Sequence, residues 1–399
     1  MTPSFNSSGV LRRLSSIRGR GLFARLGSWL KDFRPRSAGG KPPIGSDADL
    51  KNRFCPSPFE HFELNADGQV FQCCPSWLPI SAGNFRGSSG EEVWNSKQAQ
   101  SVRASILDGS FSNCQKTLCP RIQAGSLPTI AEARENPAYR AIIDGKKIII
   151  DGIPLFINMC NDPSCNLSCP SCRLEKISHV RGEGYDHVKE LQDKLVATYL
   201  SEPSEQAFTL SITGSGDPFG SRVFREFLCD FDGANFPNMK INLQSNGVLF
   251  TPKQWERLHK LHGKIHAVIV SFDAATEPTY NITRRGGRWS LLLSNMEMIG
   301  KLRRDGHIKY LRLDYVVQDV NFREMEAFVE LAKSFSADRA YFGRAVQWGA
   351  WTAEEFRQKC VWERTHDDYA ECMEMISRPV FADPFVDLGN LSEFRMIAR

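Results

Sequence analysis

The chain has 399 residues, 41% of them hydrophobic and 24% charged, with twelve cysteines, enough to bury a sizeable core in more than one domain. No stretch approaches the roughly 18 apolar residues of a transmembrane helix, and a secreted disulfide framework belongs to much shorter chains. The formal charge of +4 is uneven: residues 1–46 hold nine Lys or Arg against Asp32 alone, leaving 41 basic and 45 acidic residues elsewhere, so the body gives no reason to expect nucleic acid.

In residues 1–46, Leu11, Leu14, Ile17, Leu22, Leu26, Trp29, Leu30 and Phe33 recur at roughly helical intervals with Arg12, Arg13, Arg18, Arg20, Arg25 and Lys31 between them. A basic amphipathic helix of this kind reads as a peripheral membrane contact through residues 11–33. The same composition also suits a disordered tail or, being Arg- and Ser-rich and poor in acids, an organelle transit peptide. A Gly- and Pro-rich stretch, Ser37 to Ser46, links it to residues 47–125, a small cysteine module. There Phe62 to Phe71 reads as two short strands around the Asp67-Gly68 turn. Cys55 precedes this hairpin, Cys73 and Cys74 follow it, and a helix expected over Glu91 to Leu107 leads to Cys114 and Cys119.

Residues 126–147 read as a linker. From about 148 to 348, apolar strands alternate with amphipathic helices, the pattern of a parallel α/β sheet. Strands are expected near 154–160, 207–213, 239–244, 266–272, 309–317 and 339–346. Helices are expected near 186–200, 221–231, 252–262, 289–303 and 321–335. Six such units predict a partial (β/α)6 TIM-like barrel, with residues 349–399 as a capping segment and chemistry at the C-terminal strand ends. There lies Cys165-Asn-Leu-Ser-Cys169-Pro-Ser-Cys172. Three thiolates on so short a loop converge on one soft metal centre at little loop-closure cost. A [4Fe–4S] cluster takes four thiolates, so three would leave one iron open.

With these residues the chain resembles the radical SAM superfamily. The cysteine loop is similar to its cluster motif, with Ser171 where an aromatic is common. Ser211-Ile-Thr-Gly214-Ser215-Gly216-Asp217-Pro218 resembles the Gly-Gly-Glu-Pro element, Ser245-Asn246-Gly247 the Thr-Asn-Gly element, and Ser271-Phe-Asp273 with Tyr280 to Gly287 the run found in members with an auxiliary cluster. Val317-Gln318 to Asn321 is also familiar at its place. The resemblance implies that Cys165, Cys169 and Cys172 hold a [4Fe–4S] cluster whose open iron takes S-adenosylmethionine. Ser215, Gly216 and Asp217 would receive its amino group, and Asn246, Ser271 and Arg284 would be further contacts.

Residues 50–125 resemble a SPASM or twitch auxiliary iron–sulfur domain, through Cys55, the Asp67-Gly68 hairpin, Cys73-Cys74-Pro75, Gly83-Asn84, Trp94-Asn95-Ser96, Cys114 and Cys119. In most relatives such a module follows the barrel. Cys55, Cys73, Cys114 and Cys119 would ligate a second [4Fe–4S] cluster, with Cys74 the substitute for Cys73; zinc is the alternative for four thiolates. The resemblance implies reductive cleavage of S-adenosylmethionine to a 5′-deoxyadenosyl radical and hydrogen abstraction from a peptide or a sugar-type small molecule. That expectation includes a net oxidation, a low-potential donor such as flavodoxin or ferredoxin, and a cytoplasmic setting. A redox-neutral epimerase using a late thiol, Cys360 or Cys372, and a non-catalytic iron–sulfur sensor or electron carrier are the competing readings. Cys160, Cys229 and His366 read as an open-site or buried thiol, a core residue and a structural histidine.

Overall fold

The structure, a computed structural model, describes residues 50–397; segment 11–33 and its membrane reading lie outside the described residues. Alternating apolar and polar side chains produce one ten-stranded sheet among those residues. Its first strands, β1 (His61–Asn65), β2 (Gln69–Phe71) and β3 (Gly83–Asn84), are antiparallel. The turn between β1 and β2 needs a glycine, since Gly68 has φ +81°. The six expected strands follow as β4 (Phe156–Cys160), β5 (Thr209–Ile212), β6 (Lys240–Ser245), β7 (Ile265–Ser271), β8 (Tyr310–Val317) and β9 (Arg339–Arg344), all parallel to their neighbours.

Two strands extend that unit. β10 (Val386–Asp387), from the C-terminal segment, pairs in parallel with β9. On the other side β1 pairs in parallel with β4, His61 opposite Phe156 through Asn65 opposite Cys160. Most of the cysteine module, from β2 onward, therefore lies in the connection between two adjacent parallel strands. Phe62, Leu64 and Val70 join the core formed by β4–β9 and their helices, whereas Phe54, Phe59, Phe111 and Ile122 form a second core at the module's cysteine end. Burying Phe62 and Leu64 contributes about 1.5–3 kcal/mol each to the seam.

The expected helix at 91–107 is two: Gly90–Trp94 and α1 (Lys97–Leu107). The break falls where Asn95 turns its side chain to the Ile150 carbonyl and Ser96 caps the next turn by accepting from Ala99 N–H. Residues 126–147 contain helices Ile130–Ala133 and Pro137–Asp144, the first opened by a Thr129–Glu132 capping box. Around the sheet run α2 (Glu183–Tyr199), α3 (Arg222–Asp230), α4 (Pro252–Arg257), α5 (Glu277–Thr283), α6 (Trp289–Arg304) and α7 (Met325–Ser334). No helix among the described residues is long and apolar enough to cross a membrane.

Arg103 of α1 holds the module together. Its side chain is 0% exposed and donates to the carbonyls of Pro58, Trp94 and Ile148 and to Asn95 Oδ1, at 2.8–2.9 Å. Its guanidinium also lies 4.5 Å from the Trp94 ring centroid. Burial lowers its pKa to about 10, so it stays charged at neutral pH. Arg103→Ala would strand these acceptors, each bond to a charged donor contributing about 1.5–3 kcal/mol. We expect denaturant unfolding of the full chain to show a loss of about 3 kcal/mol or more; a loss below about 1 kcal/mol would refute this role.

Candidate metal centres and their frame

On β4–β9 one side-chain row faces the helices and is mostly apolar; the other faces inward and carries a band of polar side chains, flanked by Phe156, Ile269 and Val316. Glu63, Asn158, Ser211 and Asn242 are opposite one another across β1, β4, β5 and β6. Ser271, Asp314, Tyr341 and Asp387 do the same across β7 to β10. Glu63, 6% exposed, accepts from Asn158 Nδ2 at 3.0 Å and lies 3.3 Å from His61 Nε2. Arg312 grips Asp314 through two bonds of 2.6 and 2.8 Å and stacks on Tyr341. Among the described residues, buried Asn65 Nδ2, Asn158 Oδ1 and Asn242 Oδ1 have no partner.

The cysteine loop leaves the C-terminal end of β4 and is closed by Cys165 N–H donating to the Ile177 carbonyl. Each thiol meets a nitrogen donor: Asn246 Nδ2 at 3.6 Å from Cys165 Sγ, Arg284 Nη1 at 3.7 Å from Cys169 Sγ, and Arg173 Nη2 at 3.3 Å from Cys172 Sγ. Burial pushes the Cys165 thiol up to about 12, reinforced by Asp217. Burial also raises Cys169, with Arg284 opposing. Thiols held protonated in this way bind metal by releasing protons. Three thiols with donors already aimed at sulfur fit the cluster that the cysteine spacing implies.

Among the residues expected to contact S-adenosylmethionine, Asp217 is turned inward. The Asp217 carboxylate is 0% exposed and accepts from Phe219 and Gly220 N–H through Oδ1 and from Ser245 Oγ and Asn246 N–H through Oδ2. Four bonds fill the acceptor sites of a carboxylate, so Asp217 does not reach out to an ammonium. It ties the loop after β5 to the end of β6, and burial still raises its pKa despite those bonds. Gly216 is needed for close approach: a Cβ there would stand 2.4 Å from the Asp162 carbonyl and 2.6 Å from that of Ser164. Ser215 donates to the Cys160 carbonyl at 2.8 Å. Thr213, with φ +74°, is a strained β-branched residue whose Oγ1 bonds to both the Gly216 carbonyl and its N–H.

Arg284 is paired with Asp273 at 2.8 Å. Burial works against its charge, but Asp273 and Cys169 outweigh it and hold the pKa above the usual arginine value. Ser271 lies on the inner face opposite Asp314. Of the expected set, then, Asp217, Asn246 and Arg284 frame the cysteine loop. Arg173, Asn158, Arg312 and Asp314 carry no motif in the sequence; Glu63 is signalled only by the alternation in Phe62-Glu63-Leu64-Asn65.

In the module, Cys55, Cys73, Cys114 and Cys119 line one small cavity together with Trp77, Phe111 and Ile122. Trp77 Nε1 donates to Cys73 Sγ at 3.1 Å. Cys119 precedes the short helix Pro120–Gln123 at its N-cap position, and burial raises its thiol while the amides of Ile122 and Arg121 oppose this. Burial pushes Cys114 up to about 12. Cys74 is outside that cavity. Cys160 is buried at the end of β4, and Cys360 and Cys372 lie in the main hydrophobic core, where a thiol behaves as a small apolar side chain. Cys229 packs against the same core, and His366 Nε2 bonds to the Gln358 carbonyl. Among the described residues no three His, Cys, Asp or Glu gather at the spacing of a single bound ion.

No curated protein sequence matches the chain. Solved structures similar to it include SuiB of Streptococcus suis bound to S-adenosylmethionine, at 14% identity and a TM-score of 0.39, over 74% of this chain and 61% of that one. The same protein bound to precursor peptide SuiA gives 16% and 0.42, over 86% and 75%. A histidine-tagged anSMEcpe with bound AdoMet gives 16% and 0.38, over 57% of each. The chain thus spans about three fifths of the first and last of these. Residues 163–332 match the model of the radical SAM superfamily, and residues 55–121 that of SPASM, an iron–sulfur cluster-binding domain. With these regions come a [4Fe–4S] cluster that binds S-adenosylmethionine and an auxiliary iron–sulfur site. Together they make up more than half of the 399 residues, and the chain belongs to the radical SAM superfamily, with its SPASM domain ahead of the radical SAM region.

Proposed function

We propose that the chain is a radical enzyme that cleaves S-adenosylmethionine reductively and removes hydrogen from a polar substrate of peptide or sugar type. The observation that carries this is the placement of Cys165, Cys169 and Cys172 at the C-terminal end of β4, beside an inner face lined by polar side chains. When bound, a cluster on these thiols would supply the electron that breaks the carbon–sulfur bond of S-adenosylmethionine. The protein's part is geometry: Asp217 and the Thr213 turn hold the loop after β5 rigid, and Asn246, Arg284 and Arg173 fix the three sulfurs. The resulting site is preorganised, so little reorganisation accompanies ligand binding.

Asn65, Asn158 and Asn242 suit a substrate rich in hydrogen-bond donors and acceptors, because buried atoms left unpartnered on the inner face favour a guest that pairs with them. We read the net reaction as an oxidation, served by a low-potential donor such as flavodoxin or ferredoxin and by a second cluster on Cys55, Cys73, Cys114 and Cys119. The burial of Cys360 and Cys372 in the core supports oxidation over an epimerisation that uses either thiol as hydrogen donor. A sensor or electron carrier would have no use for the polar inner face.

Anaerobically reconstituted full-length protein, reduced with dithionite, is expected to release 5′-deoxyadenosine from S-adenosylmethionine, and Cys165→Ala, Cys169→Ala and Cys172→Ala each to abolish the release. Absence of the nucleoside from wild-type protein with its iron in place would remove the enzyme reading. Iron counts separate the neighbouring thiols of the module. Cys73→Ser is expected to lose roughly half of the iron, as for one of two four-iron clusters, while Cys74→Ser keeps it. The reverse pattern would overturn the ligand set.

A further inference from the structure

Arg173 directly follows the last cysteine of the loop, and its buried guanidinium touches two loops and one thiol at once. Nε and Nη2 lie 3.4 and 3.3 Å from Cys172 Sγ. Nη1 donates to the carbonyl of Pro163, ahead of the cysteine loop, and Nη2 donates to the carbonyl of Ser215, in the loop after β5. The backbone is pinned as well: Arg173 N–H donates to the Cys169 carbonyl, and its own carbonyl accepts from Arg285 Nη2.

The three sulfurs are not treated alike. Cys165 faces a neutral amide, that of Asn246. Cys169 faces Arg284, whose charge is met by Asp273 at 2.8 Å. Arg173 has no carboxylate within ion-pair distance among the described residues; its guanidinium meets Cys172 Sγ and the carbonyls of Pro163 and Ser215. It therefore puts one uncompensated positive charge and two N–H donors against a single thiol. A nearby cation and N–H···S bonds stabilise the more negative, reduced state of a cluster and raise its potential. A planar fork can hold sulfur and two carbonyls at fixed angles, which an ammonium cannot.

We propose that Arg173 is a positioning residue that sets the reduction potential of the radical SAM cluster and couples it to the Ser215–Gly216 loop, so that ligand bound at that loop is sensed at Cys172. This rests on the radical SAM reading of the loop. The two roles separate in two variants. Arg173→Gln removes the charge, and Arg173→Lys keeps the charge but loses the fork.

The test uses the full chain, reconstituted anaerobically, with iron and sulfide counts and potentiometric titrations followed by electron paramagnetic resonance, without and with S-adenosylmethionine. Wild-type protein whose cluster signal changes with S-adenosylmethionine upholds the parent reading; wild-type protein that takes up iron but shows no change sinks that reading, and this inference with it. Given a wild-type response, Arg173→Gln with its iron retained is expected to be reduced to a tenfold lower ratio at the potential that half-reduces wild type, about 59 mV for a one-electron couple. Arg173→Lys is expected to keep most of the wild-type potential but to need at least tenfold more S-adenosylmethionine for the same spectral change. A wild-type potential in Arg173→Gln, or a wild-type S-adenosylmethionine response in Arg173→Lys, overturns the proposal. Should Arg173→Gln fail to take up iron, the response of Arg173→Lys decides alone.

Discussion

The ladder between β1 and β4 is the constraint on which the rest of this molecule depends. Its residues pair in register from His61–Phe156 to Asn65–Cys160, and one end of it opens onto the cysteine loop. Cys73 lies just past β2, antiparallel to β1, so both thiol groups are referenced to one rigid seam. Between β1 and β4 the chain builds the rest of the module, from β2 to Cys119 and beyond, and returns to the neighbouring position. Closing a connection of that length costs only slightly more than closing a shorter one, because loop entropy grows with the logarithm of length. The seam also makes Glu63 a residue of the inner face although it belongs to the module. Domain placement along the chain and domain placement in space therefore differ: a segment that reads as a preceding domain acts as one more strand of the parallel sheet. At the far edge, Arg344 of β9 donates to the Thr117 carbonyl of the module at 2.7 Å, so contacts to the module come from both edge regions of the parallel strands.

Electrostatics around the cysteine loop follow from how each charge is compensated. Desolvation opposes every charge buried there, and each answers differently. Asp217 spends all its acceptor sites on backbone and hydroxyl donors, which makes it a brace. Arg284 and Asp273 neutralise one another at 2.8 Å, and such a pair gains little net stability when buried, so its value lies in fixing the α5 end against Cys169. Arg173 has no carboxylate beside it and meets Cys172 Sγ and two backbone carbonyls instead. In this arrangement hydrogen-bond donors converge on the thiols while the carboxylates are turned away into the frame, which is the polarity a thiolate-bound metal requires.

Much of this was legible in the sequence, because it is local. The loop Cys165 to Cys172, the Asp67-Gly68 hairpin and the six alternating strands are patterns within a few residues, and the structure has them within a residue or two. What the sequence hid is long-range. Nothing in His61 to Asn65 says that its free edge meets a strand some 90 residues on. The direction of a short carboxylate is equally silent: an Asp before Pro218 can reach outward to a ligand or fold back onto Phe219 and Gly220, and only the packing of β6 against β5 decides for the second. The helix at 91–107 divides at Asn95-Ser96, where Ser96 is a local cap signal and Arg103 and Ile150, both tertiary partners of Asn95, hold the break. Arg173 looks like any basic residue after a motif, since burial of a charge is invisible until the loops that bury it are in place.

The inner face bears on function more directly than any single motif. A parallel sheet buried on both sides normally fills both faces with Val, Ile and Leu, and this chain does so on the face toward the helices, where Ile157, Leu210, Leu243 and Val268 are completely buried. On the other face it keeps Glu63, Asn158, Ser211, Asn242, Arg312 and Asp314. Each buried polar group left without a partner costs about 1–3 kcal/mol, so apolar replacements there would make the fold more stable. The Arg312–Asp314 grip offsets that cost for itself. The unpartnered amide atoms of Asn65, Asn158 and Asn242 do not, and a polar guest on the inner face would supply the missing bonds. On the proposed reading, stability given up along a row next to the cysteine loop is stability reserved for binding a polar guest.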